Sequence, residues 1–509
     1  MRRLAQAWSL RSVVLSRFGQ TALYGLVRSS AIYALAAIAS PLTSLVLAPF
    51  LTRQLSAGDY GLLVVLNTAI GLLAGITQLG LSSAFFRAYN YDYSTRRDKA
   101  SVVATAFGLL IAIAVIAVAV TALIAGLAGN RLSGRASSDN LVVLAIVVVI
   151  VQNLALPAFA WMRAEGRSVS FALVSIINVA VTLTANVVLV GVLHRGVAGS
   201  LIATASGYAA VILATAPALA AHMALPRIDI ARSMLSFGVP QVPNVLALWV
   251  LQLSDRYLLA QLRSLDETAR YAVAYSLGMA VSIVVVSPFA LAWPTAMYAI
   301  AKREDARDQF RLVFTAACLT FLFIAYALSL VGVLLLDRLF SNTYHSAAPV
   351  IPLVSESLAL SGMYMLLTIG IGLTRKTWVA SALTLSAAVA NVLINLLLIP
   401  RFGALGAAIS TLLAYAGLVA AAYLVNQRLY PLDLPIGRLV AAVAIGMVLY
   451  WGSYQVGMTL GPQWILPGQL LGLAAYCGCL VFLGASTILP LRRSATASIP
   501  GSSANRPTS

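Results

Sequence analysis

The 509-residue chain is 61% apolar and 9% charged, with a mean hydropathy of +0.93. Soluble domains run at about 45–50% apolar and about 25% charged, so the composition excludes a soluble globular fold and indicates an integral membrane protein. The net charge of +18 does not point to nucleic acid, because the basic residues fall in short connectors between apolar runs and form no basic domain.

Residues 1–28 form a basic leader in which Arg2, Arg3, Arg11 and Arg17 alternate with Leu4, Trp8, Val13 and Phe18. Two readings fit it, an interfacial helix and a disordered cytoplasmic segment. A signal peptide does not fit, since the first apolar run starts only near Ser30. Six apolar segments follow, at 29–51, 60–84, 101–128, 140–162, 169–193 and 198–223, each long enough to cross a bilayer core of about 30 Å. A polar connector at 224–236 precedes six more, at 237–262, 271–299, 311–336, 347–373, 377–400 and 403–427. Two further segments, 437–459 and 464–490, lead to a polar tail at 491–509 that is expected to be disordered. The predicted fold is therefore an all-α polytopic membrane protein of about 14 transmembrane helices. Residues 29–223 form an N-lobe, 237–427 a C-lobe, and two helices are appended.

Sorting the basic residues by side supports this count. Of 33 Lys and Arg, 24 fall on the side of the N-terminus and 8 on the other, with Arg256 inside a span. Such a bias places both termini in the cytoplasm. Cys318, Cys477 and Cys479 lie in apolar runs with no further ligand residues beside them, and read as small apolar residues.

The two lobes carry an internal repeat. GVAGSLIAT at Gly196–Thr204 reappears as GALGAAIST at Gly403–Thr411, 207 residues later. Each follows an Asn-bearing apolar run that ends near an Arg. Pro41 in the first span of one lobe is matched by Pro240 and Pro243 in the other. Six spans per repeat give both halves the same orientation, related by an axis along the membrane normal. They would enclose a central cavity suited to alternating access.

Four stretches carry a family resemblance: LTRQLSAGDYGLLVVLNTAIGLLAGITQLGLSSAFFR, FGVPQVPNVLALWVLQLSDRYLLAQL, HSAAPVIPLV and NVLINLLLIPRFGALGAAISTLLAY. As a set, over residues 29–430, the chain resembles the Wzx-like polysaccharide-export flippases. These are a branch of the multidrug/oligosaccharidyl-lipid/polysaccharide exporter superfamily. The resemblance implies a two-lobed transporter that moves undecaprenyl-diphosphate-linked oligosaccharide from the inner to the outer leaflet. The block Ser254-Asp255-Arg256 and the run ending in Pro400-Arg401-Phe402-Gly403 match recurring family positions. Two departures matter. The multidrug-antiporter branch uses an acidic residue in its first span, and this span has none. The lipid II flippase branch lines its cavity with several basic residues, whereas only Arg256 lies well inside a span here.

Charged residues within spans are costly and mark function by default. Asp255 and Arg256 are adjacent, and helical neighbours project about 100° apart, so the two are not expected to pair with each other. One reading has Arg256 snorkelling to outer headgroups and Asp255 bound by another helix; the other puts both on a cavity wall, in gating or ion coupling. Glu356 lies about nine residues, or about 13 Å, into its span and is a candidate proton or cation carrier. Arg87, at the inner end of the second span, suits bidentate contact with the diphosphate, and Arg28, Arg53 and Arg256 are further candidates for that contact. The polar residues Gln152, Asn153, Asn186, Trp249, Gln252, Tyr364, Asn391 and Asn395 lie in apolar spans and either line the cavity or join helices.

No paired carboxylates in a loop, His cluster or phosphate-binding Lys motif supports an enzyme, a metal or a cofactor. His194, His222 and His345 are scattered at span ends. The expected function is thus a flippase for lipid-linked glycan in the bacterial inner membrane, with lipids and envelope-assembly proteins such as a polymerase as partners. Alternatives are a cation-coupled antiporter of small amphiphiles, a lipid II flippase, or a non-transport polysaccharide assembly factor. Reporter fusions at positions 97, 230, 305 and 495 are predicted to read as cytoplasmic; a periplasmic signal at 230 or 305 contradicts the fourteen-span reading.

Overall fold

The computed structural model describes residues 43–128, 136–222, 224–374 and 376–497. Helix is the only extended secondary structure among them, as expected where lipid offers no partner for backbone N–H and C=O groups. Eleven of the described helices are long and apolar enough to cross a membrane, or up to twelve if one bent pair counts as a single span. The expected first span and the leader lie outside the described residues up to position 42, as do the last twelve residues of the tail.

Contacts divide the chain into two compact units, meeting between Ala272 and Val273. The first unit contains α1 (43–54), α2 (Ala57–Thr77), α3 (Leu81–Arg87), α4 (Arg96–Ala128), α5 (Ala136–Ala164), α6 (Ser168–Asn186), α7 (Gly196–Ala220), α8 (Ile228–Gly238) and α9 (Val242–Leu262). It also takes the first half of α10 (Leu265–Gly278). Local chemistry sets these limits. Ser56 caps α2, its Oγ accepting the Asp59 N–H at 3.1 Å and donating to the Asp59 carboxylate at 2.7 Å. Leu79 and Gly80 adopt positive φ and break α2 from α3. The connector expected at 224–236 is itself largely helical. Ile230, Ala231 and Met234 of α8 are buried, and Arg227 ties its start to α4 through Asp98 at 2.6 Å.

In lipid, apolar helices gain little from hiding against one another, so close packing and hydrogen bonds must hold them. The first unit is built on that rule. One core cluster gathers Leu81, Phe85, Tyr89, Leu110, Trp161, Met162, Ile230 and Met234, with small Ala residues at 84, 88, 106, 155, 158 and 160 between them. Gly80 and Gly238 meet backbone to backbone. A Cβ on Gly238 would stand 2.3 Å from the Leu79 carbonyl oxygen.

The second unit holds the remainder of α10, then α11 (Ser287–Ile300), α12 (Ala306–Leu339), the short α13 (Asn342–His345), α14 (Val350–Leu367), α15 (Ile369–Leu373), α16 (Thr377–Leu429), α17 (Ile436–Leu460) and α18 (Ile465–Ala497). Outside the spans, Arg303 forks onto Asp305 at 2.7 and 3.0 Å, just before α12. That fork, with Gln309, holds the Asp305 carboxyl down at about 2. α14 is the most enclosed span of the unit, lying between α12 and α16. The appended helices α17 and α18 pack on each other and on α12, where Tyr326 stacks on Tyr476 at 5.2 Å and meets Tyr450 edge-on at 5.4 Å.

α16 runs for 53 residues, about 80 Å at the helical rise and more than twice a bilayer core. Gly403, with φ 55° and ψ −130°, breaks it into two passes. Gly196, its counterpart in the repeat, has φ 57° and opens α7 in the same way. A Cβ at Gly199 would meet the backbone of Leu189 at 3.2 Å, and one at Gly406 the carbonyl oxygen of Leu398 at 2.5 Å. Thr204 and Thr411 each donate to the carbonyl four residues before. The repeated motif therefore builds the same glycine-hinged hairpin in each unit.

Gly238 has ordinary negative φ, so Gly238→Ala tests steric contact alone. It is predicted to destabilise the protein by about 1–3 kcal/mol and to lower its melting temperature. Gly452→Ala, where a Cβ meets nothing within 4 Å, serves as the control. Equal melting temperatures for the two variants would contradict the close crossing.

Candidate functional site

A cavity of 330 Å³ opens within the first unit among α1, α2, α5, α6 and α7. Its wall carries hydroxyls and amides from Thr43, Ser44, Tyr60, Asn67, Gln152, Asn178, Thr182, Ser200, Thr204 and Tyr208, with Leu47, Leu51, Leu63 and Ile70 between them. Helical spacing produces this wall. Asn178 and Thr182 are four residues apart on α6, and Ser200, Thr204 and Tyr208 form a stripe of the same spacing on α7. Gly207 lets the two helices close, since a Cβ there would lie 2.0 Å from the Thr182 hydroxyl. Among the described residues, no Asp, Glu, Lys or Arg lines it. The Asn178 Nδ2 is buried without a hydrogen-bond partner among the described residues.

Of the polar residues expected to line a cavity, Gln152 does so here. Its neighbour Asn153 instead locks α5 to the end of α2, donating to Thr77 Oγ1 at 2.7 Å and accepting from Gln78 at 3.1 Å. Asn186 is fully buried and donates to the Thr182 carbonyl at 2.9 Å. Tyr364 meets Thr384 at 3.3 Å, joining α14 to α16. Asn395 donates to Asn391 at 3.0 Å along α16, leaving Asn391 Nδ2 and Asn395 Oδ1 unsatisfied among the described residues. Trp249 packs its indole against Gly71 of α2, with Nε1 3.5 Å from where a Cβ would stand. Gln252 is exposed.

The cations divide as well. Arg53 is exposed near the end of α1. Arg87 is exposed at the end of α3, 3.4 Å from Asp92 and 4.8 Å over the Phe237 ring. Arg28 lies outside the described residues.

Asp255 and Arg256 do contact each other, contrary to the expectation from helical geometry. Both are buried. Arg256 curls its long stem back along α9, so that Nη1 reaches the Gln252 carbonyl at 2.9 Å and Asp255 Oδ1 at 3.4 Å. The same Oδ1 accepts the Arg256 backbone N–H at 2.8 Å, while Oδ2 accepts the hydroxyl of Tyr271 on α10. Projection angles describe where Cβ points; a four-atom stem overrides them. The carboxylate thus ties α9 to α10.

Glu356, on α14, borders a cavity of 20 Å³ with Tyr326, Ser329, Tyr450 and Tyr476, at the junction with the appended helices. Its Oε1 is buried and has no hydrogen-bond partner among the described residues.

Sequence reading missed Thr43, Ser44, Tyr60, Asn67, Asn178, Thr182, Ser200, Thr204 and Tyr208. The four-residue stripes on α6 and α7 were the available signal. Ser and Thr rarely draw notice in apolar spans, because they usually bond the preceding turn, as Thr204 does to Ser200 at 3.0 Å.

Asp255→Asn is predicted to reduce membrane abundance sharply, because removing one charge of a buried pair costs about 3–5 kcal/mol. Tyr271→Phe should cost less, about 1–3 kcal/mol for one lost bond to the carboxylate. Wild-type abundance and melting temperature for Asp255→Asn would show that the tether carries no stability.

Known structures share this fold. The lipid II flippase MurJ in an inward closed conformation is 14% identical, with a TM-score of 0.67, covering 89% of this chain and 99% of that one. A mutant of the Vibrio cholerae MATE transporter VcmN is 15% identical with a TM-score of 0.56, covering 79% and 96%. An inward-facing multidrug resistance transporter of the MATE family, in the MOP superfamily, is 15% identical with a TM-score of 0.57, covering 78% and 97%. These likenesses establish the two-lobe, all-α fold class expected from the sequence. No curated protein matches the chain. The sequence model of the polysaccharide biosynthesis protein family matches residues 26–297, more than half of the chain, and the chain accordingly belongs to that family of membrane flippases and exporters.

Proposed function

We propose that the chain translocates a lipid-linked oligosaccharide, carried on undecaprenyl diphosphate, across the bacterial cytoplasmic membrane by alternating access. The observation that carries this reading is the chemistry of the 330 Å³ cavity, lined among the described residues by hydroxyl and amide groups and by no charged side chain. Sugars present hydroxyls that such groups bond without a charge to neutralise. A cation-coupled antiporter of amphiphiles needs a carboxylate facing its cavity, and none lines this one among the described residues. The fold shared with a lipid II flippase supports a lipid-borne cargo, and the family supports its use in envelope polysaccharide synthesis.

In this reading Arg87 receives the diphosphate. It is exposed at a span end on the basic-rich side, where the cargo enters, and its planar fork suits phosphate oxygens. Glu356 supplies the coupling group, because its buried oxygen, without a hydrogen-bond partner among the described residues and beside a small cavity, is where a proton or a cation gains a partner. Asp255 positions α9 rather than carrying an ion. Both termini face the cytoplasm, and a polysaccharide polymerase takes the product on the far side.

The test is transport by the full chain in proteoliposomes loaded with lipid-linked oligosaccharide. Gln152→Leu and Asn178→Leu should each slow translocation roughly tenfold, the worth of one lost hydrogen bond to a polar cargo, with normal abundance. In the same assay Glu356→Gln should abolish stimulation by an imposed proton or cation gradient and leave the unstimulated rate. Wild-type rates for both leucine variants would overturn the cavity assignment; retained stimulation in Glu356→Gln would overturn the coupling role.

A further inference from the structure

A second cavity, of 430 Å³, lies in the first unit away from the one described above. Its wall includes Tyr89, Ser94, Arg96, Lys99, Glu165 and His222. These residues stand at or just beyond the ends of four spans, which terminate at Asp92, Arg96, Ala164 and Ala220. Four span ends meeting at one place put the cavity at the level of the lipid headgroups, on the side that carries the excess of basic residues.

Its electrostatics favour a single negative charge. Arg96 and Lys99 are three residues apart on α4 and share a face. Lys99 is held with Nζ 5.0 Å over the Tyr89 ring. One carboxylate, Glu165, is in the wall, and it accepts the Tyr89 hydroxyl. Asp98, in the same turn as the two cations, is engaged elsewhere: it accepts from Thr95 at 2.6 Å and from Arg227 at 2.6 Å. Arg96 and Lys99 against Glu165 leave the Arg, Lys and carboxylate side chains of the wall, among the described residues, with one positive charge in excess. His222 uses Nδ1 toward the Ala218 carbonyl at 2.7 Å and rests its ring 5.2 Å from that of Trp161. Ser94 adds a hydroxyl. Beside this end of the unit, Tyr91, Leu225 and Ile228 are 85%, 84% and 86% exposed. Apolar side chains left bare at a span end insert into the boundary between headgroups and acyl chains.

We propose that this cavity holds the phosphodiester headgroup of an anionic membrane lipid from the same leaflet. Arg96 and Lys99 contact the phosphate oxygens, and the exposed apolar residues flank the acyl chains. A phosphodiester brings one negative charge, matching that one excess positive charge, and a glycerol headgroup offers hydroxyls to Ser94 and Glu165. The proposal does not depend on the identity of the transported cargo.

The experiment uses the purified full chain in phosphatidylcholine bilayers with and without phosphatidylglycerol. Apparent affinity is read from the rise in melting temperature, and retained lipid from mass spectrometry. The wild type should be stabilised by phosphatidylglycerol. The double variant Arg96→Gln/Lys99→Gln should keep its melting temperature in pure phosphatidylcholine and bind phosphatidylglycerol roughly a hundredfold more weakly, about tenfold for each lost charge-assisted contact. The control Lys302→Gln/Arg303→Gln, in the connector before α12, should behave as wild type. An equal rise in both double variants and the wild type would overturn the proposal, since the effect would then be diffuse surface charge. The same rise with inorganic phosphate alone would overturn the lipid assignment in favour of a free-anion site. A rise with undecaprenyl diphosphate and none with phosphatidylglycerol would overturn it in favour of the cargo's carrier.

Discussion

Every polar group within a span must find a partner inside the protein or face water, because lipid supplies neither donor nor acceptor. Two groups of polar residues stand out under this constraint. Asn153, Tyr364 and Asp255 meet their needs against neighbouring helices and fix where those helices sit. Asn178 and Glu356 retain buried polar atoms without a protein partner among the described residues, and both border cavities. The first group explains the architecture; the second is where chemistry with a cargo or an ion is available.

The same constraint explains the role of small residues. Without a hydrophobic force between helices, contact depends on how closely backbones approach. Gly80 against Gly238, Gly199 against Leu189 and Gly406 against Leu398 are such approaches. The last two occupy equivalent places in the repeat. The two motifs share a packing device, a glycine-hinged hairpin, and with it the placing of Thr204 and Thr411. The polar lining is not shared. α6 and α7 border the hydroxyl-rich cavity, while the matching part of α16 pairs Asn391 with Asn395. Packing and contact also divide the chain at different places. The repeat restarts after the connector, yet α8 and α9 pack on elements of the first unit.

Much of the fold was legible because composition and span length are strong signals in a membrane chain. Apolar runs at 311–336 and 437–459 correspond to α12 and α17. The segment 224–236 reads as a polar connector because Arg227, Asp229 and Arg232 dominate it; its secondary structure comes from Ile230, Ala231 and Met234, which are buried in α8. Site residues were less legible, because a sequence gives the identity of a polar residue and not the direction it faces. Gln152 and Asn153 are neighbours of similar character; one lines a cavity and the other pins two helices. Asp255 and Arg256 were separated by projection angle and reunited by the reach of an arginine stem. Ser and Thr, which the sequence analysis does not single out, supply much of the cavity wall.

The proposed cargo is a glycan-bearing lipid, and the leaflet in which such a lipid resides is directly measurable. In cells lacking the chain, undecaprenyl-linked oligosaccharide should accumulate on the cytoplasmic face, shielded from a membrane-impermeant glycan-modifying reagent until the membrane is opened. Restoring the chain should return it to the outer face. Unchanged leaflet distribution in the deleted cells, together with altered sensitivity to amphiphilic drugs, would contradict the account and assign the cavity to small amphiphiles.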